Sequence, residues 1–115
     1  MLLFLVSGIW MACVQPNEVP DDVIPEDKMI QVLTDVHLLE GAHMSTQFIN
    51  IDSVRDVTAA GYNTIFKKYG ITEQEYKKSW EFYMRNPDIA DPLYEKVIEN
   101  INILQNESLK KSQKK

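Results

Sequence analysis

The stretch Ile65-Phe66-Lys67-Lys68-Tyr69-Gly70-Ile71-Thr72-Glu73-Gln74-Glu75-Tyr76 decides the fold. Up to Tyr69, the residues Val54, Thr58, Gly61, Tyr62, Ile65, Phe66 and Tyr69 recur at helical spacing. Lys67 and Lys68 stand in the last turn, where positive charge suits the helix dipole. Gly70 then supplies the stop. Two residues later Thr72-Glu73-Gln74-Glu75 fits a capping box, with Ile71 and Tyr76 placed for a hydrophobic staple. A helix stop and a helix start this close predict two helices lying side by side.

The same grammar extends in both directions. The second helix is expected to begin near Asp52 or Ser53, either a good N-cap. The third carries Tyr76, Trp80, Tyr83 and Met84 on one face and ends at Asn86-Pro87. The fourth is expected to open with Asp91 as N-cap and Pro92 at its first position. Its stripe is Leu93, Val97, Ile98, Ile101 and Leu104, and it should run to about Glu107. Upstream, a first helix is expected from Pro25, with Glu26 and Asp27 in its first turn. Its stripe is Met29, Leu33, Val36 and Met44, fading between Gly41 and Ser45. No segment alternates as a strand does. The expected fold is all-α, a small bundle of about four helices over residues 25–107, with a basic tail at 108–115.

Size and charge narrow the function classes. The chain has 115 residues, 44% apolar and 25% charged, and only four glycines. One modest core fits this length, with little structure to spare for a deep cleft. The net charge of −5 is uneven. Residues 1–60 hold nine acidic and two basic side chains, and the remainder holds eight acidic and ten basic. With no basic stripe, nucleic acid is not an expected partner, because phosphate neutralisation supplies most of that affinity. The only basic cluster is Lys110, Lys111, Lys114 and Lys115, which reads first as a solvated helix end.

Residues 1–12 are uncharged and apolar, too short to span a bilayer. They end in Ala12, followed by the single cysteine, Cys13, and a polar stretch containing Pro16, Glu18, Pro20, Asp21 and Asp22. The order fits a signal peptide, and the cysteine makes it resemble a bacterial lipoprotein signal with Cys13 as the lipidated residue. Residues 13–24 then form a flexible tether. Trp10 stands three before the cysteine, where such signals usually carry an aliphatic residue, and no lysine or arginine precedes the apolar run. A buried apolar helix with an incidental cysteine is the alternative, as is a signal cleaved or retained without lipid. A lone cysteine forms no intramolecular disulfide.

Further phrases lie along the chain: Ile24-Pro25-Glu26-Asp27-Lys28-Met29, Asp35-Val36-His37-Leu38-Leu39-Glu40, Tyr62-Asn63-Thr64-Ile65-Phe66-Lys67-Lys68-Tyr69-Gly70-Ile71-Thr72, Ser79-Trp80-Glu81-Phe82-Tyr83, Asn86-Pro87 and Tyr94-Glu95-Lys96-Val97. Their order and spacing over about residues 23–104 resemble a family of short helical lipoproteins of unknown function from Bacteroidetes-type bacteria. The resemblance implies a lipid-anchored envelope protein, with the outer membrane as the expected location. It implies no reaction.

Chemistry has one focus. At about 100° per residue, Glu40 falls within the apolar stripe of the first helix, with His37 and His43 three residues to either side. A buried carboxylate needs a partner. One reading pairs Glu40 with a histidine, or with a tyrosine or tryptophan of the third helix, and so fixes helix register. Another lets the helix fray at Gly41, so that Glu40 reaches water. A third makes His37, Glu40 and His43 a small-ligand or metal site, since Glu40-Gly41-Ala42-His43 has the Glu-x-x-His spacing of helical di-metal proteins. Such proteins use two of these motifs and further carboxylates, and this chain has only two histidines. No metal or cofactor is therefore expected. No catalytic residue stands out, and an enzyme is not expected. Phe82 lies about 100° from Tyr83, so Trp80, Phe82 and Tyr83 cannot all face inward. They are the candidate surface for an unidentified protein partner, and the chain reads as an interaction or accessory module.

Overall fold

A computed structural model of the chain describes residues 18–44 and 51–114, the side chains at 43, 44 and 51–57 excepted. Among them are four helices and no strand: α1 (Glu26–Met44), α2 (Ile51–Tyr69), α3 (Glu73–Arg85) and α4 (Pro87–Gln113). The all-α expectation holds.

The turn between α2 and α3 forms as the sequence dictates, but the two helices do not lie side by side: α2 packs along α1 and α3 along α4. The Ile71 N–H donates to the Phe66 carbonyl at 2.9 Å, and the Gly70 N–H donates to the Lys67 carbonyl at 3.3 Å. These are the paired bonds of a Schellman motif, which needs a left-handed residue at the position Gly70 occupies. Gly70 has φ +63°. Thr72 then caps α3, its side chain accepting from the Glu75 N–H at 3.1 Å.

α1 is the central element and packs against both α2 and α4. Both neighbours run antiparallel to it. Lys68 meets Asp35 and Tyr62 meets Glu40, so numbers rise along α2 as they fall along α1. Tyr94 meets His37, while Lys96, Glu99 and Asn100 stand around Asp27, Ile30 and Gln31. Two-sided packing explains why Met29, Ile30, Val32, Leu33 and Val36 are all buried. Ile30 and Val32 lie outside the single stripe expected for this helix. At Gly61 the two helices approach closely. A Cβ there would stand 2.6 Å from Leu39 Cδ1, well inside van der Waals contact.

Two further expectations need correction. α4 does not begin at Asp91 and Pro92; it begins at Pro87, five residues earlier. Asn86 ends α3, its N–H donating to the Tyr83 carbonyl at 3.1 Å, while its own carbonyl accepts from Ile89 and Ala90 at 3.0 Å. Pro87 takes the first helical position, where a missing N–H costs nothing. Ile89 and Ala90 are buried, and Ile89, Leu93 and Val97 continue one stripe. Pro92 thus sits inside the helix. α4 also continues through Gln113, so the basic stretch at 108–113 forms its exposed last turns.

The second correction concerns the segment before α1. The last residues of the expected tether are part of the core: Val23 and Ile24 are buried, and Val19 is partly buried against them. α3 grips this strap. The Ile24 N–H donates to Ser79 Oγ at 2.9 Å, and the Tyr83 hydroxyl donates to the Ile24 carbonyl at 2.6 Å. Lys78 pairs with Asp22 at the surface. Among the described residues, every buried side-chain polar atom has a hydrogen-bond partner, and no helix is long and apolar enough to cross a membrane.

Candidate functional site

Glu40 lies in the penultimate turn of α1, where the helix emerges from between its neighbours. Its side chain is 43% exposed and that of His37 is 35% exposed. The carboxylate is therefore at the rim of the core and not in the middle of a buried stripe. Part of it reaches water, and part is partnered.

The partner from another helix is Tyr62 of α2, whose hydroxyl donates to Glu40 Oε1. The expectation of a tyrosine or tryptophan from α3 missed this. The Leu39 side chain lies over Gly61, and in the same stretch of the α1–α2 contact the longer side chains of Glu40 and Tyr62 meet. A glycine within a helical stripe was the available signal, since it marks where backbones come together. His37 Nδ1 lies 3.4 Å from Glu40 Oε2.

Aromatic rings continue outward from this group. Tyr62, Phe66 and Tyr76 form one set, with ring centroids 5.9 Å apart for Tyr62 and Phe66, 5.2 Å for Phe66 and Tyr76, and 6.4 Å for Tyr62 and Tyr76. His37, Tyr94 and Trp80 form a second, at 6.1 Å and 6.3 Å. The carboxylate acts on three of these rings. Burial and then the charge of Glu40 push the Tyr76 hydroxyl up to about 12 and raise that of Tyr94. Tyr62 is raised further, by burial and by its hydrogen bond to Glu40.

His43 belongs to α1, but its side chain lies outside the described residues. Of the expected trio the structure brings together His37 and Glu40. No group of three or more histidine, cysteine or carboxylate side chains gathers among the described residues. Cys13 likewise lies outside them.

The expected aromatic surface is only partly a surface. Tyr83 is completely buried, because its hydroxyl holds the strap. Trp80 and Phe82 are partly buried against the core. Phe82 borders a shallow groove with Pro20, Val23, Lys78 and Asn86. The helical wheel separated Phe82 from Tyr83 correctly, yet it could not foresee a strap covering both. The large exposed apolar side chains are instead mostly on α4: Ile98, Ile103, Leu104 and Leu109, with Met84 on α3.

A second polar junction joins α1 and α2. Asp35 Oδ2 accepts from Lys68 Nζ at 2.7 Å and from the Tyr69 hydroxyl at 2.8 Å. Its carboxylate raises Lys68 through that hydrogen bond. This junction and the Glu40–Tyr62 pair fix the register of the two helices.

These features define a small helical bundle in which one central helix carries a half-exposed carboxylate ringed by aromatics. Residues 20–107 match the family described as Domain of unknown function (DUF4296), and the chain belongs to that family. The match takes in the strap from Pro20, the first three helices and α4 as far as residue 107. No curated protein and no solved structure matches the chain.

Proposed function

We propose that the chain is a non-enzymatic accessory or interaction module of a bacterial cell envelope, of Bacteroidetes type, held at a membrane through lipid on Cys13. The outer membrane is the favoured location. The observation that supports the interaction role is the outer half of α4. Gln31 of α1 borders the same grooves as Asn100 of α4, so the start of α1 stands opposite about residue 105, while α4 runs on to Gln113. Ile98 and Leu109 are 56% and 61% exposed and share one side of the helix, and Ile103 and Leu104 are exposed on its other sides. Large exposed apolar residues gathered in the outer half of one helix favour an interaction role. The non-enzymatic reading draws on the buried hydroxyls, which are committed to the backbone. Thr34 donates to the Ile30 carbonyl, and Ser79 both accepts from Ile24 and donates to Glu75.

The test is affinity capture of the full chain from envelope membranes of the native organism, comparing wild type with Ile98→Asp and Leu109→Asp. One reproducible partner, lost in the variants while their helical content and melting stay unchanged, is the expected result. A partner set indifferent to both substitutions overturns the interaction reading. Cys13→Ser should move the protein from the membrane to the soluble fraction; if it stays membrane-bound, the lipid anchor is wrong. The alternative of a small-ligand or metal-binding domain draws support from the Glu40 cluster alone.

A further inference from the structure

Glu40 differs from the carboxylates that carry cationic partners. Asp22, Asp35 and Glu73 pair with Lys78, Lys68 and Lys77. Glu40 takes a tyrosine hydroxyl on one oxygen and lies near an imidazole on the other. Among the described residues no lysine or arginine pairs with it. A carboxylate offers about four lone-pair positions, and the side chain is 43% exposed, so acceptor capacity remains toward solvent. Tyr62 is bonded to it, the Tyr76 ring stands 6.4 Å from that of Tyr62, and the Tyr94 ring stands 6.1 Å from that of His37, the imidazole beside the carboxylate. A carboxylate without a lysine or arginine partner among the described residues, grouped with several aromatic rings, is the chemistry that holds an organic cation. The carboxylate accepts charge-assisted hydrogen bonds, and the ring faces attract positive charge through their quadrupoles. A divalent metal is a poorer fit, because among the described residues one carboxylate and one imidazole leave most of its coordination sphere unfilled.

We propose that Glu40, together with Tyr62, Tyr76 and Tyr94, forms a binding site for an alkylammonium or guanidinium group. The hydrogen-bond-donating cation is preferred over a quaternary one, since Glu40 supplies acceptors. The group comes either from a lysine or arginine side chain of another polypeptide or from a free amine. This site is separate from the exposed face of α4 and does not depend on it.

The experiment is a titration of the full chain with methylguanidinium, propylammonium and tetramethylammonium, read on the tyrosine ring resonances by NMR. The expected result is a saturable shift of the Tyr62, Tyr76 and Tyr94 signals with the first two, and about tenfold weaker binding of tetramethylammonium. Glu40→Gln keeps an acceptor for Tyr62 and removes the charge. It should weaken binding about tenfold or more, and Tyr94→Leu should weaken it several-fold with Glu40 intact. Asp35→Asn, which alters a carboxylate already paired with Lys68, should leave binding unchanged. A short arginine- and lysine-containing peptide that binds tighter than the free groups assigns the source to a polypeptide; equal affinity assigns it to a free amine. Rings that do not respond, shifts that survive in Glu40→Gln, or equal binding of tetramethylammonium overturn the proposal.

Discussion

Ser79→Ala removes one oxygen atom from the interior, and its cost follows from the strap. Ser79 is fully buried, and its hydroxyl accepts from the Ile24 N–H, which is also buried. Without that oxygen the N–H has no partner and no water, a penalty of about 1–3 kcal/mol. Two smaller effects oppose it. Alanine is the better helix former, by about half a kcal/mol. The bond from Ser79 to the Glu75 carbonyl (2.6 Å), which slightly weakens a helix, also disappears. The net loss should be about 1–2 kcal/mol, lowering the melting temperature by roughly 5–15 °C for a domain of this size. Tyr83→Phe attacks the same residue from its other side by orphaning the Ile24 carbonyl, and should cost about 1–3 kcal/mol. Because both side chains hold one residue, their effects should not add. Once either loss frees the strap, the second has less to remove. The assay is a denaturant melt of wild type, both single variants and the double variant, with hydrogen exchange at the Ile24 amide. Protection of that amide in the wild type and its loss in Ser79→Ala are expected. A cost below about 0.5 kcal/mol, the range of ordinary surface substitutions, together with an unprotected Ile24 amide in the wild type, would refute the docked strap.

Gly70→Ala should destabilise by about 1–2 kcal/mol through backbone conformation alone, since φ is +63° and nothing lies within 4 Å of an added Cβ; an unchanged melting curve would contradict the left-handed cap. Pro92→Ala restores an N–H donor toward the Asp88 carbonyl inside α4 and should stabilise by about 1 kcal/mol or more, with a lower melting temperature counting against a helix that begins at Pro87. All five tyrosines have hydroxyls raised above the ordinary value of 10.0, Tyr76 and Tyr83 to about 12. The neutral form is favoured in the fold, so the unfolded chain releases these protons first as pH rises. The stability contributed is complete below pH 10 and is lost as pH climbs through about 12. Tyrosinate absorbance should therefore titrate late in the folded protein and return to the ordinary range in denaturant; coincident curves would exclude the burial described for these rings.

Local grammar was legible from the chain itself. Gly70 and Thr72 specify a stop and a start because their requirements, a left-handed residue and a side-chain acceptor, are met within a few residues. Helical spacing likewise identified Ile65, Phe66, Leu93 and Val97 as core, and all four are buried. The same spacing drew attention to Glu40 as a charge on an apolar face, whereas the folded chain sets it at the rim of the core, 43% exposed. What the tertiary structure alone decided involves residues far apart in sequence. Ile24 meets Ser79 and Tyr83 across separations of 55 and 59 residues, and no local pattern distinguishes a proline-bearing tether from a strap that docks. Glu40 finds Tyr62 because of where two helices cross, which depends on how closely Gly61 lets them approach. Pro92 reads locally as a helix start, yet it lies within α4 because Ile89 and Ala90 gain burial only if the helix begins earlier. Periodicity reports which face of a helix is apolar; which neighbour covers that face is settled by packing.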